Sequence, residues 1–573
     1  MVVHVGGRGP GHISRRWGSS VSAAALSLNF LTGALDARIT FTRASLATLV
    51  DSTGKITYAP NNLVANGTTG TWVGGTATTG VADKDGGTSA VTLTSTAAAQ
   101  QVYYAVGSLS AGNYIVAVWA RRRTGTGTVS LYNPQGTITT AMTALDGTWR
   151  QFYVLQSAPA TSLYVDFLFA ASGDAIDVYI PAMSQVTYET TPRAGDNKLT
   201  TGSAYYGPRF DYNPSTLAAL GLLIEEQRTN SCLQSQAFTA AAWSAQGSVS
   251  TDNFIASPDG TTNAAKFAED LSVTTNHSIF QGLTATTNAV NTIYAKQGTG
   301  RYITLSCVDT GPNGCFAVFD LQAGTVTQQT GLGTGTVKIA TITPAGNGWY
   351  RLTVAANGTS TAVYLMVSLG NTGTPAAATD SYGRQVYTGT GLYNYVWGAQ
   401  QEVGSFATSY IPTTTAAVTR SADVASMTGT NFSSWFNASA GTFVFDVDLL
   451  GSSGAQPITE IDDGTTNNRF FLYTSALSSI LRVDTGAVNQ IAVTYGTVVA
   501  GTPYKSAFAY QVNDIAVSQS GGAIQSVGVA TIPAVTTMRL GVDLSGNGSS
   551  RHFRAITFYN TRQSNAQLQV LST

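Results

Sequence analysis

Short runs of alternating apolar and polar residues, separated by turn residues, extend along most of this chain. Near the C-terminal end, Phe443 and Val447 fall on one face of an extended strand and Asp446 falls on the other. Similar runs follow at regular intervals and are bounded by Gly, Asp and Asn. This pattern predicts a β-sandwich over residues 425–573.

The chain before residue 425 contains two tracts whose segments match in order. The matching pairs share aromatic anchors, and they are Asn61–Trp72 with Thr229–Trp243, Ala117–Arg121 with Thr292–Lys296, Gly147–Val154 with Gly348–Val354, and Tyr179–Ala182 with Tyr395–Gly398. The shared order indicates an internal repeat. Each copy has the length of a two-sheet sandwich, so we predict sandwiches over residues 61–195 and 231–424, the second with longer loops.

A charged segment lies between the two copies and reads PRFDYNPSTLAALGLLIEEQRTN over residues 208–230. Its apolar run predicts a buried strand or a short strand pair, and buried charges need partners. We expect residues 196–230 to pack with residues 26–60, which contain a predicted strand and hairpin, as one joint module. The residues expected at a domain joint or an oligomer seam are Arg209, Asp211, Glu225, Glu226 and Arg228. Glu226 and Arg228 are two positions apart, on one face of a strand, and are expected to pair.

The composition agrees with an all-β chain that has a weakly charged surface. Charged residues make up 10% of the 573 residues, against about 25% in typical soluble proteins. The net charge of -1 provides no electrostatic footprint for nucleic acid. No run approaches the roughly 20 apolar residues that cross a bilayer, so no membrane insertion is expected. The three cysteines lack a framework spacing and are expected to be buried free thiols, although pairing of Cys307 with Cys315 stays open.

The N-terminal 25 residues are glycine-rich and basic, with no acidic residue. Such an arm is flexible alone and orders on a partner surface. It is either a frayed terminus or a docking arm whose contacts are Arg8, Arg15, Arg16 and Trp17. A third interpretation is that Arg15 and Arg16 begin a twin-arginine export signal, which would make the protein a secreted bacterial adhesin.

The sequence contains none of the motifs HExxH, GxSxG or GxxxxGK[ST]. Glu225 and Glu226 resemble a catalytic pair, but neighbours on a strand point to opposite faces and cannot share one glycosidic bond. We therefore expect a protein that is not an enzyme and that holds no metal or cofactor. The alternative is a capsule- or polysaccharide-degrading enzyme, and Ca²⁺ binding in the sandwich loops stays open.

Glycan binding is the sharper functional hypothesis, because sugar rings stack on exposed aromatic faces. Most tryptophans recur at matching positions of the two repeats, so we expect them to be core anchors. The weak candidates for glycan contact are therefore in the third sandwich, at Trp435, Asp462 and Asp463.

Two motifs carry a resemblance to a known family. ITFTRASLATLVDSTG (residues 39–54) and PRFDYNP…GLLIEEQRTN (residues 208–230) resemble the paired signature of phage head-spike and tail-fibre proteins. In that family the two motifs lie close together, whereas here a sandwich is inserted between them. The stretch after residue 230 resembles a carbohydrate-binding jelly roll, and the C-terminal part resembles a concanavalin A-like or laminin-G-like one.

This resemblance implies an elongated homo-oligomer, with a homotrimer expected, that is part of a virion assembled in the host cytoplasm. The N-terminal arm would dock on other virion proteins, and the sandwiches would attach to the host surface, where a glycan is the expected partner. The resemblance does not decide between head and tail.

Overall fold

The computed structural model describes residues 23–573, except residues 68, 134–137, 159–160, 194, 285–287, 360–361, 376–378, 452–453 and 529–530. The first strands in chain order are Leu26–Asn29 (β1), Thr40–Thr42 (β2), Thr48–Val50 (β3), Ile56–Tyr58 (β4), Asn61–Asn62 (β5), Trp72–Val73 (β6), Thr76–Val81 (β7), Ala90–Thr94 (β8), Gln100–Leu109 (β9), Gly112–Thr124 (β10), Val129–Asn133 (β11), Ile138–Ala141 (β12), Arg150–Ala158 (β13), Thr161–Phe169 (β14), Ala175–Val186 (β15) and Tyr205–Tyr206 (β16).

The central strands are Arg209–Tyr212 (β17), Ala219–Ile224 (β18), Arg228–Asn230 (β19), Ser244–Gln246 (β20), Ser248–Ile255 (β21), Ala264–Glu269 (β22), Thr275–Asn276 (β23), Ser278–Thr284 (β24), Ala289–Gln297 (β25), Tyr302–Asp309 (β26), Gly314–Asp320 (β27), Thr325–Leu332 (β28), Thr336–Pro344 (β29), Trp349–Asn357 (β30), Ala362–Gly370 (β31), Val386–Tyr387 (β32), Tyr393–Val403 (β33), Val418–Arg420 (β34) and Val424–Thr428 (β35).

The last strands are Ala440–Val447 (β36), Ala455–Asp462 (β37), Arg469–Ser475 (β38), Ser478–Thr485 (β39), Val488–Thr497 (β40), Tyr504–Gln511 (β41), Asp514–Gln519 (β42), Gln525–Val527 (β43), Thr537–Leu540 (β44) and Arg551–Tyr559 (β45). The helical elements are a 3-10 turn at Phe30–Thr32 and two short helices, Thr430–Ser433 (α1) and Asn565–Leu571 (α2). The prediction of an all-β chain built from several sandwiches is confirmed, although their arrangement is not a simple tandem one. The oligomeric state stays a prediction.

The C-terminal sandwich takes strands from three separate parts of the chain. One sheet has the order β17-β18-β45-β36-β41-β42-β43, with β1 also paired to β45. The other has the order β2-β35-β44-β37-β38-β39-β40. The burial of β1 alternates, with Leu26 and Leu28 inside and the residues after each of them outside, which is why this strand packs on the core.

This topology corrects the expectation that residues 26–60 and 196–230 form a joint module of their own. β1, β2, β17 and β18 from these segments belong to the sheets of the C-terminal sandwich. The physical reason is that their apolar residues, such as Leu28, Leu222 and Ile224, complete the core around Phe443. The predicted packing between the two segments does occur, since the backbone N–H of Val50 donates to Asp211 at 2.6 Å.

The two repeat sandwiches are insertions, each closed by a two-stranded stem. The first lies between β5 and β16, which pair with Asn62 opposite Tyr205. The second lies between β19 and β34, which pair with Thr229 opposite Thr419. The two ends of each insertion therefore lie next to one another where the insertion joins the rest of the chain.

The strand order confirms the internal repeat. The first sandwich has sheets β13-β10-β15-β8-β7 and β12-β11-β14-β9-β6, and the second has β29-β30-β25-β33-β22-β21 and β28-β27-β26-β31-β24-β20. Aligned strand by strand, the second copy adds β28 at the edge of one sheet and β29 at the edge of the other, and these strands contribute to its greater length. Each copy also has a register shift at the same place, beside Trp119 in β10 and beside Tyr294 in β25.

The register changes one pair of the sequence alignment. Trp119 lies opposite Tyr179, and the equivalent Tyr294 lies opposite Trp397. Tyr179 therefore corresponds to Trp397 and not to Tyr395, because each lies opposite the residue that follows the register shift in its own copy.

The cysteines and the hydropathy pattern agree with the sequence analysis. Cys232, Cys307 and Cys315 are buried free thiols, although Cys307 and Cys315 lie directly opposite one another on β26 and β27. Across the described part of the chain, the helices are too short and too polar to span a bilayer.

Candidate functional site: a buried charge cluster and an exposed aromatic face

The predicted joint residues Arg209 and Glu225 lie in a buried cluster of charges. Nη1 of Arg209 is 2.6 Å from Oε2 of Glu225, and its other terminal nitrogen pairs with Asp423. Asp423 also accepts Nη1 of Arg43 at 2.9 Å, and Arg420 lies 3.4 Å from Glu225. All five side chains are at most 1% exposed. The cluster therefore fixes four chain segments to one another.

The charges of this cluster stabilise one another in their ionised forms. Burial alone would raise the pKa of Glu225, but the charges of Arg420 and Arg209 bring that pKa well below its ordinary value. Burial would likewise raise the pKa of Asp423, and the charges of Arg209 and Arg43 lower it. Glu225 and Asp423 are therefore held as buried anions, each paired with arginines of the cluster.

The other three predicted joint residues take part in separate contacts. Arg228 pairs with Glu226, as the strand periodicity predicts, and its guanidinium lies 5.2 Å from the ring centre of Phe406. Oδ2 of Asp211 is 3.1 Å from Nε2 of His552. A seam between subunits at these residues stays a prediction.

His552 lies between two carboxylates inside the C-terminal sandwich. Its Nδ1 is 2.7 Å from Oδ2 of Asp448, on the side opposite Asp211. Burial alone would lower the pKa of His552, but the charge of Asp448 and the hydrogen bonds to both carboxylates raise it to about 10. This histidine is a charged structural group and was not singled out by the sequence.

A cleft of about 730 Å³ lies beside the charge cluster, between the second and the C-terminal sandwiches. Its two lining carboxylates, Asp211 and Glu225, both form ion pairs. Its lining Arg351 donates to the carbonyl of Thr408 at 2.7 Å. These three charged side chains of the cleft are thus held by contacts with neighbouring segments.

The structure contradicts two of the predicted glycan contacts. Trp435 is 6% exposed, and the rings of Phe432 and Phe558 lie 5.0 and 5.2 Å from its ring. It is buried because the short helix α1 closes one end of the C-terminal core. Asp462 is fully buried and pairs with Arg539 at 2.8 Å.

The third predicted contact, Asp463, is half-buried and holds its own turn. It accepts the backbone N–H of Thr465 and the side-chain amide of Asn468, each at 2.8 Å. This turn role is the one that the Asp-Asp-Gly sequence favours. The predicted docking residues Arg8, Arg15, Arg16 and Trp17 lie outside the described residues.

The first sandwich carries an aromatic face that the sequence analysis assigned to the core. Trp119 and Trp149 are half-buried on the outer surface of sheet β13-β10-β15-β8-β7. Nζ of Lys84 lies 4.8 Å from the ring centre of Trp119, and the guanidinium of Arg121 lies 4.8 Å from that of Trp149. We call the surface formed by Lys84, Trp119, Arg121, Trp149, Tyr153 and Tyr179 the tryptophan face.

Polar groups surround the rings of the tryptophan face. The hydroxyl of Tyr179 donates to Oδ2 of Asp85 at 3.1 Å, and Tyr153 is 41% exposed. Asp85 belongs to a charged loop, Asp83-Lys84-Asp85, which connects β7 to β8. This charged loop and the alternation of Trp119 with Arg121 were the sequence signals that could have identified the face.

The equivalent face of the second sandwich is covered. Tyr294, Trp349 and Trp397 are at most 5% exposed, because Ile56 and Tyr410 from other segments pack on them. Recurrence in the repeat therefore identified core residues correctly in the second copy. In the first copy, Trp119 and Trp149 pack against the buried residues Ala90, Tyr179 and Ile180 but remain partly exposed.

No protein-family model matches the chain, and no curated protein matches it. Among solved structures, the CBM40 of the Ruminococcus gnavus IT-sialidase bound to alpha2,3 sialyllactose is 13% identical, with a TM-score of 0.23, and the match covers 25% of this chain and 88% of that one.

Two further matches cover more of the chain. The CBM22-1-CBM22-2 tandem domain of Paenibacillus barcinonensis Xyn10C is 9% identical with a TM-score of 0.20, covering 63% of this chain and 98% of that one. Domains LG4-5 of the mouse laminin alpha1 chain are 10% identical with a TM-score of 0.19, covering 52% and 89%. At these TM-scores the similarities assign neither a function nor a ligand to this chain.

Proposed function

We propose that the chain is a non-enzymatic attachment protein that binds a glycan through the tryptophan face of its first sandwich. The observation that carries this proposal is that Trp119 and Trp149 are partly exposed at positions whose counterparts in the second sandwich are buried. Apolar surface that stays in contact with water is unfavourable, and its retention in one copy of a repeat favours a ligand there.

The chemistry of the face fits a saccharide. A pyranose ring presents apolar C–H surfaces, which stack on indole and phenol rings, and hydroxyls, which need donors and acceptors. The rings of Trp149 and Tyr153 supply the stacking surface, and Lys84, Asp85 and Gln151 supply the hydrogen-bond donors and acceptors. The same sheet holds these groups together, since Trp119 lies opposite Gln151 and Tyr179.

The wider role that we propose is attachment of a phage virion to its host. It is supported by the paired motifs at residues 39–54 and 208–230, which resemble those of head spikes and tail fibres. In this proposal the protein is a homotrimer, and residues 1–25 dock on other virion proteins. Removing residues 1–25 should give a soluble oligomer that is no longer incorporated into particles, and incorporation of the truncated chain would contradict the docking role.

Glycan binding is tested with the full chain on a panel of oligosaccharides, followed by titration calorimetry on each hit. We expect Trp149→Ala to weaken binding about tenfold or more, which corresponds to about 1.4 kcal/mol or more of stacking energy. The matched control is Tyr164→Ala, because Tyr164 is a half-buried aromatic residue on the opposite sheet of the same sandwich. Near-UV circular dichroism verifies that both variants are folded.

Two outcomes would overturn the proposal. One is that the wild-type chain binds no saccharide on the panel. The other is that folded Trp149→Ala binds as tightly as Tyr164→Ala. The non-enzymatic part is tested separately by incubating the protein with purified host-envelope polysaccharide, and release of new reducing ends would contradict it.

A further inference from the structure

The second sandwich carries an exposed aromatic cluster of its own, beside the part of the sheet that is covered. Phe254 is 48% exposed, and its ring stacks on that of Tyr395 at 6.0 Å between centres and 28° between planes. Nζ of Lys266 lies 4.2 Å from the ring centre of Tyr393 and 5.5 Å from that of Phe254. The cluster therefore combines ring faces with an ammonium group on one surface.

A second lysine extends this surface by one strand. Tyr395 in β33 lies opposite Lys266 on one side and opposite Lys296 on the other. Cross-strand partners share a face of a sheet, so Lys266, Tyr395 and Lys296 form a row across three neighbouring strands. We call the surface formed by Phe254, Lys266, Lys296, Tyr393 and Tyr395 the lysine–aromatic face.

The lysines of this face have no carboxylate partner within the described part of the chain. Lys296 donates to the backbone carbonyl of Asn347 at 2.8 Å, and the ammonium of Lys266 lies against aromatic rings. Neither lysine takes part in an ion pair with a described residue.

In the first sandwich, the equivalent row contains a carboxylate that neutralises the charge of its cations. By strand register, Asp177 holds the position of Tyr395, and Arg121 holds that of Lys296. Asp177 pairs with Arg121 at 2.8 Å and with Arg123 at 3.4 Å. The second copy keeps the cation, adds another at Lys266, and replaces the carboxylate by a tyrosine.

We propose that the lysine–aromatic face binds an acidic saccharide, with a sugar ring on Phe254 and Tyr395 and its anionic group on Lys266 and Lys296. The two uncompensated ammonium groups supply the charge complementarity, and the exposed rings supply the stacking surface. The anionic group is a carboxylate or a sulfate, since either accepts hydrogen bonds from an ammonium. This inference shares with the proposed function the premise that the ligand is a saccharide, but it concerns another sandwich and other residues.

The test measures binding of the full chain to three oligosaccharides of equal length: a uronic acid oligomer, a sulfated oligomer and a neutral one. We expect an acidic oligomer to bind and the neutral one to bind at least about tenfold more weakly at this face. Binding of the acidic oligomer should weaken as salt rises from about 0.01 M to about 1 M, because the Debye length falls from about 30 Å to about 3 Å. The comparison between carboxylate and sulfate identifies the anionic group.

Two variants assign the binding to the face. Lys266→Gln should weaken binding of the acidic oligomer about tenfold, and Phe254→Ala should weaken it without changing its dependence on salt. The matched control is Lys338→Gln, because Lys338 is an exposed lysine at the opposite edge of the same sheet. Lys266→Arg retains the charge and should retain most of the binding.

The outcomes separate this inference from the proposed function. Equal binding of acidic and neutral oligomers, or unchanged binding in folded Lys266→Gln, would overturn the inference. Trp149→Ala should leave binding of the acidic oligomer to this face unchanged. If Trp149→Ala has no effect on any saccharide while Lys266→Gln does, the tryptophan face is wrong and the inference stands.

Discussion

Asp423 links several members of the buried charge cluster. It accepts Nη1 of Arg43 at 2.9 Å, pairs with Arg209, and accepts the backbone N–H of Glu225 at 2.9 Å. Asp423→Asn would leave two buried guanidinium groups without this anion. Breaking a buried ion pair from one side costs about 3–5 kcal/mol, so we expect a loss of this size in the free energy of unfolding.

Urea denaturation followed by tryptophan fluorescence measures this loss. The control is Asp146→Asn, because Asp146 and its partner Arg150 are 52% and 48% exposed and surface pairs contribute little. Equal stability of the two variants would contradict the structural role of the cluster.

His552 makes the stability of the C-terminal sandwich depend on pH. Its folded-state pKa is about 10, above the ordinary value of about 6.5. The imidazolium therefore contributes stability that is fully present below about pH 6.5 and is lost as the pH rises through about 10. We expect the melting temperature of the wild type to fall across this interval, and that of His552→Gln to be lower at pH 6.5 and nearly constant. A wild-type melting temperature that rises with pH in this interval would contradict the arrangement of Asp448, His552 and Asp211.

At the residue scale, the sequence predicted local partners and missed distant ones. The pairing of Glu226 with Arg228 was expected from their spacing of two, and it occurs although Glu226 lies in the short connection between β18 and β19. The partners of Arg209 and Glu225 include the remote residues Arg420 and Asp423. Alternation along a strand carries no information about which remote segment will face it. Trp435 was ambiguous for the same reason, since its exposure depends on what lies over α1.

At the element scale, the hairpin of β3 and β4 determines which face of the repeat is covered. Its turn residue Gly54 has a φ of 79°, and a Cβ there would lie 2.7 Å from the backbone oxygen of Pro214. Gly54→Ala should therefore reduce the free energy of unfolding by roughly 1–2 kcal/mol because of the positive φ, and by an additional amount because of this backbone clash.

Gly80 provides a matched control for this substitution. Its φ is 76°, and the space around its Cβ position is empty to 4 Å. Differential scanning calorimetry should show a smaller drop in melting temperature for Gly80→Ala than for Gly54→Ala. Equal drops would mean that the packing of the Gly54 turn on Pro214 contributes nothing.

The strands themselves were the most predictable elements. The repeat was visible because its aromatic anchors recur in order, and the added edge strands β28 and β29 account for part of the growing offset between copies. The membership of β1 and β18 in the C-terminal sandwich was not predictable, because an apolar face specifies burial and does not specify the partner strand. The partial exposure of Trp119 was not predictable for a related reason. The repeat predicts where a residue lies in the sheet, but it does not predict which segment covers that residue.

At the scale of the whole molecule, the chain is one C-terminal sandwich with two sandwiches inserted into it. The first insertion leaves at Asn62 and returns at Tyr205, and these residues lie opposite one another in a two-stranded stem. We therefore expect that residues 63–204 can be replaced by a short Asn-Gly turn and that the rest of the chain still folds. The shortened chain should melt at a lower temperature, because Glu189 and Tyr188 no longer bond to Thr57 and Asp51.

The position of the cut makes this prediction specific. A deletion of residues 63–212 removes eight further residues, including Arg209, and with them β17 and the centre of the charge cluster. We expect the first deletion to give a cooperative calorimetric transition and the second to give an aggregating protein, because Glu225 and Asp423 would lose their shared cation. If both deletions fold equally well, the charge cluster does not hold the C-terminal sandwich together. If neither folds, the first sandwich is an integral part of the core and not an insertion.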